Sequence, residues 1–144
     1  MSDVPAVKER VQNYLTTLGP VEIDERGMFG FLSGSTHVIV QVVAHPDEKA
    51  TLVVVSCSLL FEVPLTPELY KHVAIHADDW WFGHLFVVPN EETGLGTVVA
   101  RHVLMGDYLD KDELLYAVKG VAGSGDDIDD RLKEQFGGKR YEDT

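Results

Sequence analysis

The stretch Trp80–Met105, WWFGHLFVVPNEETGLGTVVARHVLM, reads as a β-hairpin. Aromatic and β-branched residues dominate from Phe82 to Val88, Pro89 and Asn90 stop the strand, and Gly94 and Gly96 flank the return. That is the composition of two strands joined by a polar turn. Because successive strand side chains point to opposite faces, one face carries Trp81, Gly83, Leu85 and Val87 with Val98, Ala100, His102 and Leu104. The other carries Phe82, His84, Phe86 and Val88 with Thr97, Val99, Arg101 and Val103. The first is a core face. The second is mixed, as a sheet surface is when it is partly solvated or meets another chain. No catalytic motif sits on the hairpin.

Upstream, Thr51–Phe61 and His37–Val43 are two more alternating runs. Val53, Val55, Cys57 and Leu59 lie opposite Leu52, Val54, Ser56 and Ser58, and Val38, Val40 and Val42 lie opposite His37, Ile39, Gln41 and Val43. With a shorter strand around Met28–Leu32 they make a three-stranded meander. A helix precedes it, with Val7, Val11, Tyr14, Leu15 and Leu18 at spacings of three and four, Pro5 in the first turn and Gly19-Pro20 at the end. Between meander and hairpin, Thr66 is placed as an N-cap with Pro67 at the first helical position, and Leu69, Tyr70, Val73 and Ala77 mark the buried stripe of a short helix ending near Ala77.

Downstream, Asp110 and Glu113 have the spacing of a capping box. Leu114, Leu115, Val118, Val121, Ile128, Leu132 and Phe136 follow near one stripe, with Asp127/Arg131 and Asp129/Lys133 as i, i+4 pairs on the polar face. Gly123-Ser124-Gly125 interrupts it. Each glycine costs about 1 kcal/mol of helix propensity against alanine, so a bend or a restart capped by Ser124 is expected. Gly137-Gly138 ends the helix. The whole is an α+β plan: an antiparallel five-stranded sheet with helices, in the order α-β-β-β-α-β-β-α. No boundary divides residues 1–138, which are expected to form one domain, with 139–144 as a flexible tail.

At 144 residues the chain is long enough to bury roughly 70% of its unfolded surface without covalent staples. The single cysteine, Cys57, provides no internal disulfide and suits a reducing compartment. No segment approaches the ~20 apolar residues of a membrane span, and charges at Asp3, Lys8, Glu9 and Arg10 argue against a signal peptide, so the expected location is cytoplasmic. Acidic residues outnumber basic ones 24 to 12, for a net charge of −12. Such a surface repels nucleic acid and anionic lipid, which leaves polypeptide as the favoured partner.

Three stretches carry a resemblance: PLTPELYKHVAIHADDWWFGHLFV, a proline-led helix running into a strand; HVLMGDYLDKDELLYAVKGV; and the ending DDIDDRLKEQFGG. Together with the element order they resemble the type III secretion chaperone-like superfamily, in particular its actinobacterial branch related to YbjN. Where related sequences often carry an asparagine late in the middle helix, this chain reads His76-Ala77-Asp78-Asp79. The resemblance implies a small acidic protein, homodimeric, that holds a segment of a protein or peptide client on its sheet and helix surfaces, with no catalytic residues and no cofactor.

Sharper chemical readings are outweighed. His72 and His76 have a spacing at which two imidazoles can share a metal, with Asp78, Asp79, His84 or His102 to complete the set, so a small metal-assisted hydrolase is an alternative. The glutamate of the metalloprotease motif is missing, however, because Val73 follows His72. Asp126, Asp127, Asp129 and Asp130 lack the oxygen pattern of a calcium loop and instead suit the first turn of a restarted helix. Cys57, flanked by serines in a buried strand, reads as a core thiol. Glycines at 27–34 and at Gly94-x-Gly96 follow no phosphate-loop spacing. In the Trp80-Trp81-Phe82 cluster alternation leaves at least one ring outside the core. The expected peptide or dimer contact surface is the mixed outer face: Ile39, Gln41, Phe82, His84, Phe86, Val99 and Arg101. A regulatory protein with no unfolded client fits the same residues.

Overall fold

The computed structural model describes residues 3–144. The elements run α1 (Val4–Leu15), β1 (Glu22–Ile23), β2 (Phe29–Ser33), β3 (Thr36–Ala44), β4 (Thr51–Pro64), α2 (Pro67–His76), β5 (His84–Asn90), β6 (Leu95–Met105) and α3 (Lys111–Phe136), with short 3-10 turns at Thr16–Leu18 and Tyr141–Asp143. All strands join one antiparallel sheet in the order β1-β2-β3-β4-β6-β5. The α+β class and the antiparallel sheet are as expected from the sequence; the strand count is six rather than five because the two-residue β1 pairs with β2.

Local chemistry starts each helix. The Asp3 carboxylate accepts from the Ala6 amide at 3.1 Å, Thr66 Oγ1 from Leu69 at 3.2 Å, and Asp110 from Glu113 at 2.8 Å, each supplying a partner to an amide that the helix itself leaves open. Alternation then builds the core. Val38, Val40 and Val42 of β3 stand beside Cys57, Val55 and Val53 of β4, and the row continues to Ala100, His102 and Leu104 of β6. Most of this face is fully buried under α1 and α3. Two register shifts in β4, between Ser58 and Leu60 and between Leu60 and Val63, break the alternation so that the adjacent Leu59 and Leu60 are both buried.

Three expectations fail, each for a reason of packing. α3 runs unbroken through Gly123-Ser124-Gly125. A Cβ on Gly125 would lie 2.8 Å from Leu59 Cδ2 and 3.2 Å from Cys57 Sγ, so this glycine lets the helix approach the sheet, and burial outweighs its propensity cost. Secondly, the aspartates after it head no restarted helix, and the expected Asp127/Arg131 and Asp129/Lys133 ion pairs are not formed. Asp126 instead accepts from the Ser35 amide (3.0 Å) and hydroxyl, and Asp129 Oδ2 lies 3.1 Å from the same hydroxyl oxygen, which pins the β2–β3 turn to the helix.

Thirdly, residues 139–144, expected to fray, fold back. Lys139 exchanges two backbone hydrogen bonds with Phe61, at 2.6 and 2.8 Å. Arg140 pairs with Asp130, Glu142 and Asp143, Lys133 reaches Asp143 at 2.8 Å, and Tyr141 stacks on His37 with ring centroids 4.6 Å apart. Gly137 and Gly138, both at positive φ, make the reversal; a side chain on Gly138 would strike Phe61 O at 2.8 Å.

Candidate interaction surface

The face of the sheet away from α1 and α3 is the candidate site. Register puts Ile39 beside Ser56, Ser56 beside Arg101, and Arg101 beside His84. The next row sets Ser58 beside Val99 and Val99 beside Phe86; on the other side Gln41 neighbours Val54, which neighbours Val103. Six of the seven residues expected to form a contact surface, Ile39, Gln41, His84, Phe86, Val99 and Arg101, are thus brought together across β3, β4, β6 and β5. Leu52, Val54, Val103 and Met105 complete the patch; Val103 is 44% and Met105 47% exposed. They too were legible, since their alternation is the same.

Phe82 does not join them. Gly83 adopts φ +106°, and β5 begins only at His84, so the strand alternation does not extend back to Phe82. Its ring packs on the helix side, where a Cβ on Gly120 would meet it at 2.8 Å, and lies edge-on to His102 with centroids 5.6 Å apart. The other two aromatics of the cluster also depart from strand alternation: Trp80 packs against the core, and Trp81, placed by alternation on the core face, is 97% exposed.

The electrostatics of the patch contrast with the molecule around it. From Leu52 to Ser58 on β4 and across the facing positions of β3, β6 and β5, the outward side chains include no Asp or Glu, in a chain with 24 of them. Arg101 is the one permanent charge there, and its guanidinium carbon lies 4.7 Å from the centroid of the Phe86 ring, within cation–π range. Serine, glutamine and apolar groups supply the rest. Depletion of charge around apolar and aromatic side chains marks the centre of protein–protein contacts.

The histidines divide between sites. His84 lies on the outer face and His102 on the core face, where burial, with a smaller contribution from His84, pulls its pKa below the usual imidazole value. His72 and His76 sit together with centroids 4.5 Å apart in a cleft of about 310 Å³ between α2 and α3. His76 Nδ1 lies 2.6 Å from Asp79 Oδ2, and Phe136 meets His72 edge-on at 5.1 Å. Burial chiefly, and the neighbouring His76, hold the His72 pKa down. Arg131 lines the same cleft, and among the described residues no group of three or more His, Cys, Asp or Glu is placed to hold a metal ion. Nothing in this arrangement supports the hydrolase reading.

Comparison with known proteins gives the chain its relatives. No curated protein matches it. Among solved structures, YbjN from E. coli superposes with a TM-score of 0.62 at 11% identity, covering 89% of this chain and 93% of that one. An uncharacterized protein from Methanothermobacter thermautotrophicus gives 0.61 at 14% identity, over 91% and 99% of the two chains. The ExsC–ExsE complex gives 0.60 at 14% identity, over 92% and 97%. At these identities the likeness establishes the fold, an antiparallel sheet with its helices. A family model described as T3SS (YopN, CesT) and YbjN peptide-binding chaperone 1 matches residues 5–144. With the expected element order in place and nearly the whole length matched, the chain belongs to this family of type III secretion and YbjN peptide-binding chaperones.

Proposed function

We propose that the protein is a non-catalytic module that sequesters a segment of a partner polypeptide on the outer face of its sheet, working in the cytoplasm as a homodimer or as a monomer in exchange with one. The observation that carries this reading is the patch running from Ile39 and Gln41 to Phe86, mixed apolar and polar around the single charge of Arg101 and without a carboxylate although the net charge is −12. An acidic protein that needed this face only for solubility would have placed some of its charge there. Hydrophobic contact supplies the affinity, and the acidic surroundings favour partners of opposite charge. Membership of a peptide-binding chaperone family supports the same conclusion. No helix among the described residues is long and apolar enough to cross a membrane.

The test uses Phe86→Ser and Val103→Asp, both changes on the outer face. Each should shift sedimentation toward the monomer or reduce the partner polypeptides captured from the native cell and identified by mass spectrometry. If both variants sediment and capture as the wild type does, this surface is not the one used.

A further inference from the structure

The cleft between α2 and α3 is a separate surface with its own chemistry. Its apolar floor is made by Trp80, Leu85, Ile128 and Leu132, and its walls are polar. From α2 and the turn after it come His72, His76 and Asp79; from α3, one turn apart, come Arg131 and Gln135. His76 Nδ1 lies 2.6 Å from Asp79 Oδ2, so the carboxylate of Asp79 is already engaged within the cleft. Arg131 is the second element. Although Asp127 precedes it by four residues, Arg131 takes part in no salt bridge among the described residues. With Asp79 engaged by His76, the guanidinium of Arg131, which lines this cleft without an ion-pair partner among the described residues, is the group there able to receive a carboxylate. The volume, about 310 Å³, lies at the lower end of the range for small ligand sites and suits one bulky side chain with its flanking backbone.

We propose that this cleft is a second recognition site, which anchors a polypeptide segment carrying a bulky apolar side chain followed closely by an acidic one. The apolar side chain seats on Trp80 and Leu132, and the carboxylate pairs with Arg131. The site rests on the peptide-binding reading but not on the outer face, and the two fail separately.

The probe is the hexapeptide acetyl-Ser-Leu-Glu-Leu-Glu-Ser-amide, titrated into ¹⁵N-labelled protein, with its glutamine counterpart as the neutral control. Saturable shifts are expected at the Trp80 indole and at the backbone amides of residues 128–135. Binding should weaken about tenfold or more for the glutamine peptide and, with the acidic peptide, for Arg131→Gln. Phe86→Ser should leave it unchanged. Because Arg131 is exposed, the variant's own spectrum verifies that it is folded. Shifts confined to the outer face, binding indifferent to Arg131 or to the peptide's charge, or no saturable shift at all would each overturn the cleft site. None of these results would overturn the outer-face proposal, which sedimentation and capture test independently.

Discussion

At the scale of single residues, burial decides chemistry that composition leaves open. The Cys57 thiol, enclosed by the core and near the Asp129 carboxylate, has its pKa pushed up to about 12, first by burial and then by that charge. The thiolate is the nucleophile, so Cys57 should resist iodoacetamide at pH 8 in the native protein and react once urea unfolds it; mass spectrometry of the two samples checks this. Asp129 is 3% exposed, and its Oδ1 has no hydrogen-bond partner, so burial raises its pKa above the ordinary 3.8 despite the Ser35 bond. A raised acid binds its proton more tightly in the folded state. Its contribution to stability therefore falls as pH rises from the ordinary carboxylate range through the folded-state value. Asp129→Asn removes that dependence. The stability difference, variant minus wild type, should shift in favour of the variant between pH 4 and pH 7 in urea titrations, and a difference independent of pH would refute the assignment.

At the scale of elements, the glycines of α3 separate propensity from packing. Nothing lies within 4 Å of a Cβ built on Gly123, whereas one on Gly125 would collide with Leu59 and crowd Cys57. Gly123→Ala should stabilise by up to about 1 kcal/mol through helix propensity. Gly125→Ala gains the same propensity but overpacks the core, which typically costs ~1–3 kcal/mol, so it should destabilise. Urea unfolding of the pair reads the opposite signs. The edge strand β5 shows a related economy. The Leu85 amide donates to Ala77 O at 3.1 Å, and Pro89, four residues on and so directed to the same edge, has no N–H to offer. An edge engaged at one end and without a donor near the other is protected against indiscriminate strand pairing.

At the scale of the whole molecule, α1 and α3 cover one face of the sheet and leave the other open. Phe82 and Phe86, an even number of residues apart, fall on opposite sides of that division. Phe82→Ser should cost ~2–4 kcal/mol of stability because its ring fills the space over Gly120, while Phe86→Ser should change stability by less than about 1 kcal/mol and alter association instead. Equal urea midpoints for the two variants would contradict this placement. Much of the architecture was legible beforehand. Alternation in β3, β4 and β6 named the core valines, Thr66 and Asp110 marked their helix starts, and six of seven surface residues share the expected face. These signals are local: a cap or a two-residue period depends on neighbours within a turn or a strand. What the tertiary structure alone decided depends on atoms distant in sequence: Gly125 against Leu59, Lys139 against Phe61, Ser35 against Asp126 and Asp129. The amino-acid sequence by itself determined the helices and every strand but the two-residue β1, and which way most strand side chains point. The continuity of α3, the docking of the last six residues and the inward turn of Phe82 were settled only when the layers closed, because each is a choice between local propensity and a long-range contact, and in each the contact prevailed.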